Sequence, residues 1–177
     1  MDERDMCWLG GVWDGEGCFS LVLSRGQSIG CQSRFTNCNA TMIAEVRRIS
    51  DALGLSYHVD QRTPTKGTKT IWHLSFNGMR RTQRLLAALR PYLRAKAPEA
   101  DLVLKFIALR QARPLRAPYL TEEIACFTEL RALHGYNLRE SSETLRSALA
   151  AHSAQKMIKS ELRRNPQRAA EMTAPAP

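Results

Sequence analysis

The feature that most constrains the fold is a segment near the N-terminus, Leu9–Gly17, where glycines and acidic residues end an apolar helix. Asp2 or Asp5 could cap the start of this helix, and the apolar residues that follow recur at helical spacing. Each glycine inside a helix costs about 1 kcal/mol relative to alanine. Asp14 and Glu16 lie at the C-terminal end, where the helix dipole disfavours a carboxylate unless a cation is bound nearby. Such breaches of local rules in one place are typical of a functional site.

Two glycines of this segment, Gly11 and Gly15, lie four residues apart and therefore share one face of the helix. A face without side chains allows another backbone to approach closely. By itself, the segment also fits a glycine-rich helix end that leads into a strand. It resembles the signature motif of the LAGLIDADG homing endonucleases, with Gly10 where the family usually has alanine and Trp13 at an apolar position. The resemblance implies that Glu16 binds a catalytic divalent metal ion and that the helix packs against a second copy of itself.

The composition indicates a globular protein with a polyanionic partner. Hydrophobic residues make up 44% of the 177 residues, which is enough for one domain with a core. The net charge is +9, from 26 Lys and Arg residues against 17 Asp and Glu residues. This excess of positive charge favours nucleic acid as the partner, although a merely basic protein would show it too.

The cysteines and histidines carry no metal-site pattern. The five cysteines are odd in number and never have Cys-x-x-Cys spacing, and the four histidines form no His-Glu-x-x-His motif. These patterns predict reduced thiols and argue against zinc. No signal peptide or membrane span is evident. We therefore expect the cytoplasm or nucleoid of a bacterium, or the matrix or stroma of an organelle, rather than secretion.

Hydrophobic periodicity predicts an α+β chain in which helices alternate with hairpins, followed by further C-terminal helices. After the first helix, the predicted elements are the strands Cys18–Arg25 and Cys31–Asn37, a helix capped by Asn39 or Thr41 and ending at Gly54, the strands Tyr57–Arg62 and Lys69–Phe76, and helices over Met79–Leu89, Pro98–Arg113, Thr121–Gly135 and onward from Ser141 or Ser142 through Leu145 and Leu149. Turns are predicted between the paired strands, over 25–30 and 63–67.

Each predicted hairpin has one apolar face and one polar face. The polar face fits either the solvated side of an antiparallel sheet or a two-stranded ribbon laid in the major groove of DNA. With the charge and the motif, we expect it to bind DNA through Ser20, Val22, Ser24, Gln32, Arg34, Thr36, His58, Asp60, Arg62, Lys69, Ile71 and His73. Arg34 and Arg62 suit guanine, and Gln32 suits adenine.

The motif occurs once, and this single copy resembles the I-CreI-like, homodimeric branch of the family. Similarity to that branch is strongest at three places: the motif, residues 89–105 and residues 141–146. The resemblance implies an αββαββα core with an antiparallel DNA-binding sheet. It also implies a single endonuclease domain over 1–150, with 151–177 as a helical extension and a disordered tail.

Four residues form the active site that the resemblance implies. Glu16 binds metal, together with Gly15; Lys96 neighbours the reacting phosphate; and Asn37 organises solvent at the end of the second strand. Asn39 is an alternative to Asn37, whereas Cys38 would be chemically poor there. An arginine that the branch carries shortly afterwards has no clear match within 40–43. The implied metal is Mg²⁺, with Mn²⁺ as a substitute and Ca²⁺ binding without supporting cleavage.

Two further sets of contacts follow from the resemblance. Phosphates would be held by a loop with Asn137, Arg139 and Ser142. The dimer interface would contain Leu9, Gly10, Gly11, Trp13, Asp14 and Gly15.

The function implied is a homodimeric, Mg²⁺-dependent, site-specific homing endonuclease that cleaves double-stranded DNA at a long pseudo-palindromic target. One alternative is a DNA-binding regulator of the same fold that no longer cleaves. Another is an intron RNA maturase, since some family members assist splicing. The sequence does not identify the target or a host intron.

Overall fold

A computed structural model of the chain describes residues 2–24, 28–62, 69–114, 117–136, 145, 147 and 149–151. The elements are α1 (Glu3–Glu16), β1 (Gly17–Ser24), β2 (Ser28–Asn37), α2 (Ala40–Ala52), β3 (His58–Arg62), β4 (Ile71–Asn77), α3 (Met79–Leu89), a 3₁₀ turn (Arg90–Tyr92), α4 (Ala97–Gln111) and α5 (Thr121–Leu133). The predicted α+β class and the predicted order of helices and hairpins are confirmed.

The two hairpins form one four-stranded antiparallel sheet in the order β1-β2-β4-β3. They join through β2 and β4, where Thr36 lies opposite His73. Alternation along the strands gives the sheet an inner face, which packs against the helices, and an outer face. Phe19, Phe35 and Phe76 are fully buried on the inner face. The sheet is thus built as the alternating pattern predicts, with one apolar side covered.

The helix ends explain where the chain turns. Asp2 caps α1 by accepting a hydrogen bond from the Arg4 N–H. Asn39, rather than Thr41, caps α2, because its side chain accepts from the backbone N–H groups of Thr41 and Met42. After α2 the chain reverses through Gly54 at φ +62°, a left-handed conformation that favours glycine.

A buried ion pair joins α4 to α5, and the sequence pattern did not predict it. Glu123 is fully buried and Arg110 is 6% exposed. The Glu123 carboxylate accepts from the Leu120 N–H at 2.6 Å and lies 3.4 Å from the Arg110 guanidinium. Arg110 also stacks on the Tyr119 ring at 4.6 Å. The Tyr119 hydroxyl in turn accepts from the Ile29 N–H at 2.8 Å, which ties β2 to this end of the molecule.

One predicted turn is shorter than expected. The turn over 25–30 was predicted to reach Gly30, but β2 already begins at Ser28, because Ser28 pairs with Ser24 and Gly30 with Val22. Cross-strand hydrogen bonds therefore extend the ladder through residues whose local preference is for turns.

Parts of other predictions lie outside the described residues. These are positions 25–27 of the first turn, the second turn, the cap at Ser141 or Ser142, and everything beyond 151. Leu145 and Leu149 are buried and helical, as the predicted last helix requires. Within the described ranges, no helix is long and apolar enough to cross a membrane.

Candidate functional site

The inward side of α1 belongs to the core of its own protomer. Leu9 and Trp13 are fully buried, and the Trp13 ring packs between Phe19 at 6.0 Å and Phe35 at 5.8 Å. Gly10 is buried against the 3₁₀ turn, where a Cβ would lie 2.6 Å from the Tyr92 Cβ. This corrects the expectation that Leu9, Gly10 and Trp13 contact a second copy, because contacts within the chain already enclose them.

The outward side of α1 has the shape expected of a helix-packing surface. Trp8, Gly11, Val12 and Gly15 follow one another at helical spacing, and we call them the glycine face. Gly11 and Gly15 are exposed, and a Cβ on either would meet nothing within 4 Å. Trp8 is 36% exposed. Of the residues predicted at a dimer interface, Gly11 and Gly15 are therefore the ones whose open side faces away from the protomer.

The last predicted interface residue, Asp14, is bound within the protomer. Its carboxylate accepts three backbone hydrogen bonds, from the N–H groups of Arg94 at 2.7 Å, Ala95 at 3.1 Å and Lys96 at 2.9 Å. These N–H groups lie at the N-terminal end of α4, where a helix favours negative charge. Burial by itself raises the pKa of Asp14. The three hydrogen bonds and the positive charge of Lys96 together lower it by more, so the pKa lies below its usual value.

The Lys96 side chain completes this contact from the other direction. Its ammonium donates to the backbone carbonyl of Asp14 at 2.7 Å and lies 3.3 Å from that of Trp13. Both carbonyls belong to the last turn of α1, and the Trp13 carbonyl also accepts from the Gly17 N–H. Lys96 is therefore the cation at the α1 C-terminus. Its side chain is half-buried.

Glu16 is the exposed carboxylate at this same helix end. It is the last residue of α1, and it makes no hydrogen bond or ion pair to any residue that the structure describes. A collision between a Cβ at position 17 and the Trp13 ring explains the glycine that follows. Among the described residues, no three His, Cys, Asp or Glu side chains gather into a metal site. At this helix end, Glu16 is thus the carboxylate that the described residues leave without a partner.

Asn37 lies at the same edge of the sheet as Glu16. Because Gly17 is opposite Phe35, Asn37 lies two residues beyond the junction of α1 and β1. Its side-chain oxygen accepts from the Asn39 N–H at 2.8 Å, and its amide nitrogen approaches the Met42 sulfur at 3.3 Å. Asn39, the alternative, is occupied as the α2 cap. Cys38 is exposed.

The register places the predicted DNA-contact residues of all four strands on the outer face. The cross-strand pairs there are Ser20–Gln32, Val22–Gly30, Ser24–Ser28, Arg34–Ser75, Thr36–His73, His58–Ser75, Asp60–His73 and Arg62–Ile71. Two side-chain contacts lie on this outer face. Thr36 Oγ1 lies 2.8 Å from His73 Nδ1, and Arg62 pairs with Asp60 at 3.1 Å.

Some positions on the outer face were not among the predicted DNA contacts, and one predicted contact lies at the margin of the face. Cys18 and Asn77 share the face, opposite Arg34 and Gln32 respectively, and alternation along each strand would have found them. Lys69 is exposed and precedes β4. The loop residues predicted to hold phosphates, Asn137, Arg139 and Ser142, lie outside the described residues.

No protein-family model and no curated protein matches this chain, but solved structures do. The archaeal intron-encoded homing endonuclease I-Vdi141I, complexed with DNA, matches with a TM-score of 0.67 and 11% identity over 87% of this chain and 99% of that one. The LAGLIDADG homing endonuclease I-GzeII, in complex with its DNA target, matches with a TM-score of 0.54 and 12% identity over 78% of this chain. This chain has the LAGLIDADG homing endonuclease fold.

Coverage shows how much of that fold the chain contains. The homing endonuclease I-CvuI, in complex with its target in the presence of Ca, matches with a TM-score of 0.61 and 22% identity over 85% of this chain and 98% of I-CvuI. By contrast, the match to I-GzeII covers only 47% of the I-GzeII chain. This chain therefore carries one unit of the LAGLIDADG fold, equivalent to about half of I-GzeII.

Proposed function

We propose that the protein is a homodimeric, metal-dependent endonuclease that cleaves double-stranded DNA at a specific site. The observation that carries this proposal is the exposed, unpaired carboxylate of Glu16. It lies at the end of a glycine-rich helix whose last turn is bound by the Lys96 ammonium, and at the edge of a polar sheet face. The homing endonucleases of the same fold, several of them complexed with DNA, support this reading.

The unpaired Glu16 carboxylate at this helix end favours a site shared between two protomers. If two glycine faces pack together about a twofold axis, the two Glu16 side chains approach each other and repel unless a cation lies between them. Carboxylate and phosphate oxygens are the ligands that Mg²⁺ prefers, and Mg²⁺ keeps several of its waters. The residues present therefore fit Mg²⁺, with Mn²⁺ as a substitute and Ca²⁺ binding without cleavage. When bound, the metal would supply charge neutralisation and an activated water.

The chain's own residues then have separate tasks. The Lys96 ammonium would stabilise negative charge on the phosphate beside Glu16, and Asn37 would orient solvent at the same sheet edge. The outer face would enter the major groove, with Arg34 and Arg62 reading guanine and Gln32 reading adenine. A twofold dimer predicts a long, pseudo-palindromic site with half-sites about 10 bp apart.

A specific observation keeps a second function open, namely DNA binding without cleavage. The Asn37 side chain is already engaged by Asn39 and Met42, and residues 40–43 include no arginine. The basic part of the site is thus smaller than the resemblance implies. A protein with these features would still bind a specific DNA through its outer face.

A plasmid library with randomised palindromic half-sites would separate the two functions. We expect that incubation in Mg²⁺ yields new ends at one long palindrome, that Ca²⁺ yields binding without new ends, and that Glu16→Gln abolishes cleavage. Glu122→Gln, an exposed glutamate of α5, is the matched control and should cleave like the wild type. Enrichment of bound DNA without cleavage in Mg²⁺ or Mn²⁺ would leave the non-cleaving function instead.

A further inference from the structure

A closed set of hydrogen bonds joins Asp14 and Lys96 across more than 80 residues of sequence. The Asp14 side chain accepts from the Lys96 backbone at 2.9 Å, and the Lys96 side chain donates to the Asp14 backbone at 2.7 Å. Each residue therefore fixes the other at both its main chain and its side chain. The same carboxylate holds the N–H groups of Arg94 and Ala95, so the whole approach to α4 is anchored on α1.

This arrangement requires a carboxylate at position 14. Its two oxygens receive three donors, two on Oδ2 and one on Oδ1. An asparagine would keep one oxygen, but its NH₂ group would face at least one backbone N–H, donor against donor. The substitution thus leaves the size of the side chain nearly unchanged, yet it removes the negative charge and at least one of the hydrogen bonds to the loop before α4.

The Lys96 side chain is held in place before any substrate binds. Fixing a long lysine side chain costs up to about 2 kcal/mol of conformational entropy, and here hydrogen bonds to two backbone carbonyls offset that cost. A cation that is already ordered next to the reacting phosphate loses no further freedom during the reaction. Misplacement of such a group by about 1 Å can slow a reaction on the order of 100-fold.

We propose that Asp14 is a positioning residue that acts through Lys96: it holds the loop before α4 so that the lysine ammonium lies at the C-terminal end of α1, the helix that Glu16 ends. This assignment rests on the proposed nuclease function for its kinetic consequence. The placement of Lys96 itself is independent of that function and can be measured in the free protein.

The first measurement is the rate at which an N-hydroxysuccinimide ester acylates individual lysines of the full chain, followed by mass spectrometry. In the wild type, we expect Lys96 to react more slowly than Lys105, which is exposed on α4. In Asp14→Asn, Lys96 should approach the rate of Lys105, while Lys105 itself is unchanged. Asp51→Asn is the matched control. It alters a carboxylate on α2 that accepts a hydrogen bond from the Tyr57 hydroxyl, and it should leave Lys96 protected.

The second measurement is a double-mutant cycle on single-turnover DNA cleavage with Asp14→Asn and Lys96→Met. Asp14→Asn should slow cleavage on the order of 10-fold or more with little change in the Kd for DNA. In the Lys96→Met background it should cause no further loss. If Asp14 had a purely structural role, the rate losses of the two single variants would instead multiply in the double variant.

Three outcomes would overturn the assignment: unchanged acylation of Lys96 in Asp14→Asn, equal acceleration at all lysines, or multiplicative losses in the cycle. If Asp14→Asn fails to fold, Asp14→Glu retains the charge while displacing the carboxylate by one methylene, and Lys96 should again become more reactive. If the wild type cuts no DNA, the nuclease function fails, but the acylation rates still decide the role of Asp14.

Discussion

Gly10 lies so close to Tyr92 that a side chain at position 10 has no room. A Cβ there would lie 2.6 Å from the Tyr92 Cβ and 2.8 Å from the Tyr92 carbonyl oxygen. Since backbone atoms cannot move aside as a flexible side chain can, we expect Gly10→Ala to lower the free energy of unfolding by about 1–3 kcal/mol, although alanine favours helix. Urea denaturation would measure this loss, and unchanged stability would contradict the close contact.

Gly11 provides the matched case on the open side of the same helix. A Cβ on Gly11 meets nothing within the protomer, so Gly11→Ala should raise the stability of the protomer by up to about 1 kcal/mol. The larger Gly11→Leu should prevent two glycine faces from packing, and sedimentation should then show a folded monomer. A dimer of unchanged affinity in Gly11→Leu would place the interface elsewhere.

The buried Glu123 is expected to be critical for stability. It is fully buried and neutralised by Arg110 and Arg113. Glu123→Ala leaves a nearly buried guanidinium without its carboxylate, which should cost about 3–5 kcal/mol in the free energy of unfolding. Glu122→Ala, on the exposed side of the same helix turn, should change it by no more than about 0.5 kcal/mol. Thermal and urea denaturation of both variants would test the contrast.

The cysteines should divide by reactivity. Burial raises the pKa of the Cys31 thiol to about 12 and also raises the pKa of the Cys126 thiol. Because the thiolate is the reactive form, both should stay unlabelled by a disulfide reagent at pH 8 while the protein is folded. Cys7, Cys18 and Cys38 are exposed and should react rapidly. Labelling of Cys31 before unfolding would contradict its burial.

The outer face can be tested through one arginine and a control on the helix side. Arg34 is exposed on the outer face, and Arg34→Ala should weaken binding to the specific DNA by about 1–3 kcal/mol if it contacts a base. Arg81 lies on α3 and bonds to Ser56, so Arg81→Ala should bind DNA like the wild type. Titrations at one fixed salt concentration would compare them, because phosphate contacts depend strongly on salt. Equal losses in both variants would indicate nonspecific attraction by charge alone.

Much of the fold and part of the candidate site were predictable because the signals are local. Alternation with a period of two specifies which side chains of a strand share a face, so Gln32, Arg34 and Thr36 were placed on one side without knowledge of the sheet. Asparagine at a helix start and glycine after its end mark helix boundaries through bonds to the nearest residues. The position of Glu16 at the end of α1 follows from the same local pattern.

Tertiary structure alone decided which residues meet across long stretches of chain. Helical spacing shows that Gly10 and Gly11 point in different directions, but only the packed core shows that Tyr92 covers the first and leaves the second open. Asp14 and Lys96 bond to each other because the C-terminal end of α1 meets the turn that precedes α4, and nothing near either residue in sequence encodes that contact. The physical reason is that local propensity acts over a few residues, whereas burial and charge pairing depend on every element that packs nearby.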